Sequence, residues 1–120
     1  MRIVSEAEFR QRLLHLLCSR AEDFTLVDYV TGPGRSGALA AVYVSHMLGI
    51  PFVPYGRPHE KLQRVMMVDT ARESGATMRK AMRRYEAHSP VELVVYEEPP
   101  RVAFWYEALK PQRYRHEVAA

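Results

Sequence analysis

Val65-Met66-Met67-Val68-Asp69-Thr70-Ala71-Arg72-Glu73-Ser74-Gly75-Ala76-Thr77 is the stretch from which the fold can be read. Four consecutive apolar residues leave no polar side to turn toward water, so 65–68 reads as a strand covered on both faces. The run stops at Asp69, and Ser74, Gly75, Ala76 and Thr77 then open a helix expected to reach about residue 87. Met78, Ala81, Met82 and Tyr85 recur along one side of that helix at i, i+3, i+4 and i+7. Arg79, Lys80, Arg83 and Arg84 take the other side, most simply as a solvated face. A carboxylate at a strand end can accept sugar hydroxyls or support a hydrated Mg2+. Two hydroxyls and successive free N–H groups at a helix start form a small anion cradle. Capping by Ser74 would by itself explain the helix start, but it leaves Asp69 and Thr77 without a reason.

Upstream, 24–30 is rich in β-branched and aromatic residues and reads as a strand. It runs into Thr31-Gly32-Pro33-Gly34-Arg35-Ser36-Gly37 and then into 38–48, a helix apolar nearly all round that Gly49 should stop. The glycines permit a sharp turn and close approach to a ligand. Ser36 and Gly37 fall where a helix N-terminus favours an anion, and Arg35 adds a fork that matches phosphate oxygens. A tight turn bearing a surface arginine is the plainer alternative. No Gly-Lys-Ser/Thr follows, so this is not a Walker loop.

Ser5 and Glu8 form a capping box ahead of Phe9, Leu13, Leu16 and Leu17, which predicts a first helix ending near Ser19. A short strand is expected at 51–55, a polar loop at 56–63, a strand at 91–96 and a last strand at 102–106. Strands alternating with helices imply a mainly parallel sheet with helices on both faces. In such sheets ligands bind at the carboxyl ends of strands, which brings 31–37 and 69–77 to one site. The expected organisation is one domain over 1–120, with an N-terminal helix in 1–20, an α/β core in 21–110 and a poorly ordered tail in 111–120.

Composition sets the outer limits. In 120 residues, 48% hydrophobic and 26% charged content exclude disorder or fibrous structure for the chain as a whole. No apolar run approaches a membrane span. The single Cys18 excludes an intrachain disulfide or a cysteine metal cluster, and the expected location is cytoplasmic. A net charge of +3 suits an anionic small molecule and by itself does not indicate nucleic acid. The five histidines show no metal-ligand spacing.

The 65–77 stretch resembles the phosphoribosyl pyrophosphate (PRPP) motif of type I phosphoribosyltransferases. The 31–37 loop resembles that family's pyrophosphate loop, and Leu48-Gly49-Ile50-Pro51-Phe52-Val53-Pro54 resembles the segment between the two. The resemblance implies a single-domain, Rossmann-like α/β fold: a mainly parallel sheet flanked by helices, with a reduced hood. It implies transfer of phosphoribosyl from PRPP to a nitrogenous base with release of pyrophosphate, Mg2+ accompanying PRPP, and a homodimer. Asp69 would hold the ribose hydroxyls and, through water, Mg2+. Thr70, Ala71, Arg72, Ser74, Gly75, Ala76 and Thr77 would surround the 5′-phosphate. Gly32, Pro33, Gly34, Ser36 and Gly37 would hold pyrophosphate. Arg35, Lys61 and Glu73 would be catalytic, Glu73 as proton acceptor, and Phe104 and Trp105 would stack on the base.

The chain departs from the pattern in three places. Thr70 stands where the family has a second acid, the 56–63 loop is short, and only the first helix and the C-terminal segment remain to build a hood. Two further readings follow. One is a non-catalytic sensor or partner module that binds nucleotide or PRPP. The other is a sugar isomerase (SIS) type domain acting on or binding sugar phosphates, whose Gly-x-Gly-x-Ser turn is also matched at 32–36. Asp69 after an apolar strand favours the transferase fold.

Overall fold

The structure, a computed structural model, describes residues 2–57, 59, 61, 63–72, 74–97 and 102–108. In chain order the elements are β1 (Arg2–Val4), α1 (Glu6–Ser19), β2 (Tyr29–Thr31), α2 (Gly34–Leu48), β3 (Val65–Ala71), α3 (Ala76–Arg84), β4 (Val91–Tyr96), β5 (Val102–Phe104) and α4 (Trp105–Ala108). Short 3-10 turns occupy Ala21–Phe24 and Glu86–His88.

β3 organises the core. Val65 to Val68 are each fully buried, and successive side chains point to opposite faces. Val65 and Met67 pack with Met78, Ala81 and Tyr85 from α3 and its end. Met66 and Val68 join Ala40, Ala41 and Val44 of α2 and Phe9 and Leu13 of α1. Helices therefore cover both faces, as the unbroken apolar run requires. β3 lies between β2 and β4, all parallel, with Tyr29 opposite Val65 and Met66 opposite Val91.

A second, two-stranded parallel sheet pairs β1 with β5, Arg2 opposite Val102 and Val4 opposite Phe104. Phe104 packs against Tyr96 at the carboxyl end of β4, ring centroids 5.6 Å apart. β1, β5 and α4 thus form a small unit beside the carboxyl end of β4. The first helix instead packs beside the sheet, with Phe9 and Leu13 in the core.

Several element limits differ from the expected ones. The strand expected at 24–30 begins only at Tyr29, because 21–24 coils into a 3-10 turn and Leu26 takes a left-handed φ of 63°. The 51–55 strand contracts to one bridge, in which Val30 N–H donates to Pro51 O and Val53 N–H to Val30 O. Pro51 and Pro54 lack the N–H groups that would extend it. The third helix stops at Arg84, and the last strand stops at Phe104, where α4 starts. Residues 111–120 lie outside the described ones. Among the described residues no helix is long and apolar enough to cross a membrane.

Candidate functional site

The carboxyl end of β3 presents Asp69 and Thr70. The Thr70 N–H donates to Asp69 Oδ1 at 2.8 Å, which fixes that carboxylate. Burial pushes the Asp69 carboxyl up from the usual range, against the pull of this N–H and of Arg72. Arg72 is anchored by its backbone N–H on Tyr96 O and by its guanidinium on Glu92 Oε2 (3.2 Å) and Glu97 Oε1 (3.0 Å). Its charge is therefore largely spoken for by β4 and the residue after it.

The chain then turns through Gly75 in the left-handed region, φ 83°. Ser74 Oγ accepts from the Ala76 N–H at 3.2 Å, and the Arg79 guanidinium donates to Ser74 O at 3.2 Å. Thr77 and Met78, in the first turn of α3, have N–H groups with no acceptor inside the helix, the ordinary condition of a helix start.

The first loop is shaped by backbone contact. Gly32 and Gly37 touch one another, and Gly32 also touches Val68 O, so neither has room for a Cβ. Gly34 turns the chain into α2 with φ 66°, and the Gly37 N–H donates to Pro33 O at 3.1 Å. Ser36 Oγ accepts from the Tyr106 hydroxyl at 2.8 Å, which ties the loop to α4. Burial raises the Tyr106 hydroxyl above its usual range, with Ser36 and Thr70 opposing.

These pieces enclose a cleft of about 240 Å³. Ser36 comes from the first loop, Asp69, Thr70, Ala71 and Arg72 from β3 and the residue after it, and Ser74, Gly75, Thr77 and Met78 from the turn into α3. Val102, Phe104 and Glu107 close the far side. Asp69 and Glu107 are the carboxylates of this lining, and the described residues contain no group of three metal-ligating side chains. The donor set fits a Mg2+ carried mainly by phosphate and water, not one caged by protein.

The remaining sequence candidates lie as follows. Arg35 is exposed on the first turn of α2, while Gly32, Pro33 and Gly37 are buried behind the lining. Ala76 is half-buried and its N–H is taken by Ser74. Glu73 lies outside the described residues. Trp105 points away from the cleft, its ring 5.6 Å from Phe9 and 6.4 Å from Tyr43. Lys61 is exposed and is not among the residues that line the cleft. The Gln63 and Arg64 N–H groups both donate to Asp28 Oδ2 at 2.9 Å, and His59 sits 6.3 Å from the Tyr29 ring. That holds Gln63 and Arg64 beside Asp28, at the amino ends of β2 and β3.

Glu107, Val102 and Met78 line the cleft without having been singled out from the sequence. Glu107 carried one faint signal, an acid three residues after Phe104, as in a capping box.

The chain is similar in structure to the xanthine-guanine-hypoxanthine phosphoribosyltransferase of Helicobacter pylori, with a TM-score of 0.72 and 11% identity, covering 99% of this chain and 97% of that one. It is similar to a purine phosphoribosyltransferase from Pyrococcus horikoshii, with a TM-score of 0.67 and 17% identity over 92% and 97%. It also resembles a hypothetical protein from Neisseria gonorrhoeae solved with bound ppGpp, with a TM-score of 0.70 and 12% identity over 99% and 98%. No protein-family model matches the sequence, and no curated protein matches it. Identities of 11% and 17% speak for architecture, and the architecture shared here is the type I phosphoribosyltransferase fold.

Proposed function

We propose that the cleft at the carboxyl end of β3 binds a 5′-phosphorylated ribose, as PRPP or a nucleoside 5′-monophosphate. We further propose that the protein transfers the phosphoribosyl group to a nitrogenous base and releases pyrophosphate. The observation that carries this reading is the convergence of Asp69, the Ser74–Thr77 turn and Ser36 on one cleft. Asp69 accepts the ribose hydroxyls. The N–H groups of Thr77 and Met78, with the Ser74 and Thr77 hydroxyls, hold the 5′-phosphate. The base nitrogen attacks C1 as the bond from C1 to the pyrophosphate oxygen breaks. Arg35 and Ser36 stabilise the charge that develops on that leaving group. Mg2+ bound to pyrophosphate would be held through water by Asp69 and would neutralise part of this charge. Glu73 is the proposed acceptor of the proton that the base loses. Phe104 flanks the base.

A second reading, binding without turnover, is supported by Thr70 in place of a second acid. It is also supported by the tethering of 63–64 to Asp28, away from the cleft. Similarity to a protein solved with ppGpp agrees with a nucleotide ligand in either case.

Titration with PRPP and Mg2+, followed by assay of pyrophosphate release across a panel of bases, separates the two. Release with any base supports the transferase. Tight binding with no release across the panel leaves the binding module, and no binding of PRPP or ribose 5-phosphate defeats both. Thr77→Val should weaken ribose 5-phosphate by roughly tenfold, the size of one lost hydrogen bond to a charged group. Arg35→Ala should weaken pyrophosphate binding and leave stability unchanged, since the residue is exposed.

A further inference from the structure

Opposite the phosphate cradle the cleft ends in Val102, Phe104 and Glu107. Phe104 is 2% exposed. It is wedged between Phe9 (5.9 Å) and Tyr96 (5.6 Å) and stacks in parallel on Tyr106 at 5.8 Å. Glu107 is held just as firmly. It is the third residue of α4, and its Oε1 accepts the Phe104 N–H at 3.1 Å, the returning half of a capping box. Its other oxygen accepts no hydrogen bond from the described residues. A carboxylate that only capped a helix would have no need to line a cleft between two apolar side chains.

We infer that Glu107 is a specificity-determining residue of this cleft, selecting nucleotides whose base presents amino N–H donors and rejecting bases with an anionic edge. The inference rests on the proposed phosphoribosyl site. A carboxylate only accepts hydrogen bonds, so an amino-bearing base satisfies it, whereas a base carrying its own carboxylate sets lone pairs and like charge against it. Sites that pair buried polar groups in this way discriminate far better than apolar pockets do by size. The neighbouring charges point the same way. Asp69 adds a second carboxylate to the lining, and the Arg72 guanidinium divides its charge among Asp69, Glu92 and Glu97.

The test is calorimetric titration of the full chain and of Glu107→Gln with AMP, GMP, orotidine 5′-monophosphate and ribose 5-phosphate. Glutamine keeps an oxygen for the Phe104 N–H, so the cap survives while the charge is lost. The wild-type protein should bind AMP and GMP at least about tenfold more tightly than orotidine 5′-monophosphate. In Glu107→Gln that gap should shrink to about threefold or less, chiefly through better binding of orotidine 5′-monophosphate, with ribose 5-phosphate and the melting temperature unchanged. The inference is overturned if ribose 5-phosphate binds but the wild type does not discriminate, or if the variant discriminates equally well. A uniform loss for all four ligands together with a lower melting temperature also overturns it, and returns Glu107 to the role of a helix cap. Failure of ribose 5-phosphate to bind the wild type defeats the phosphoribosyl site itself, and the selectivity with it.

Discussion

The two loops that meet at the cleft are built on opposite principles. In 31–37 backbone packs on backbone: a Cβ on Gly32 would lie 2.2 Å from Gly37 O and 2.5 Å from Val68 O. Nothing there can swing aside. In 74–77 the close neighbours of Gly75 are the ends of long side chains, Arg79 Nη1 at 2.9 Å and Arg72 Nη1 at 3.5 Å from an added Cβ. The first loop is a wedge fixed against β3, and the second is a turn held by side chains. Two glycine-containing loops of one cleft thus respond differently to the same substitution, because what surrounds each glycine differs in its freedom to move.

Gly32→Ala tests the contrast hardest. It should cost about 3 kcal/mol or more in urea denaturation, as overpacking without escape does. A near-native midpoint would show that the loop can yield.

Asp69→Asn acts on the second loop and should separate binding from stability. Ribose 5-phosphate affinity should fall at least about tenfold, the scale of a charged hydrogen bond. Stability should change in the other direction. Because the folded-state pKa lies above the ordinary 3.8, the folded protein holds this proton more tightly than the unfolded chain. Stability contributed by the protonated group is therefore lost as pH rises from 3.8 through the raised value. The asparagine variant should lose that slope and melt higher at pH 7 than the wild type, which paired melts at pH 4 and pH 7 would reveal.

Gly75→Ala should cost about 1–2 kcal/mol, the strain of a left-handed alanine, once Arg79 has moved off. A loss as large as that of Gly32→Ala would erase the distinction between the loops. Tyr106→Phe removes the hydrogen bond that anchors the first loop to α4 and should cost about 1 kcal/mol in thermal melts.

The layered core was legible because the sequence encodes it locally. The run 65–68 required cover on both faces, and the 78–85 periodicity supplied one of those covers. Asp69, Ser36 and Ser74 could be placed at one end because both loops follow parallel strands. β1 was not legible: three residues with an arginine at one end and Ile3 59% exposed carry no strand alternation. Its partner lies far along the chain. Trp105 was misplaced for a related reason. An aromatic run at 104–106 reads as a strand, but the chain coils after Phe104, which carries Trp105 toward Phe9 and brings Glu107 round to the cleft. The far wall thus depends on a tertiary turn, whereas the side of the cleft built by Asp69 and the Ser74–Thr77 turn depends on local sequence.

The pairing of Arg2 with Val102 has a kinetic consequence. The three-stranded sheet joins segments that are moderately spaced along the chain, but the β1–β5 ladder must close a loop of 100 residues, 102 − 2. Contacts of such long range form late and slow the overall rate. During synthesis the cradle at 69–77 can take shape well before 102–107 emerges to face it. The proposed phosphate cradle should therefore form before the wall proposed to read the base.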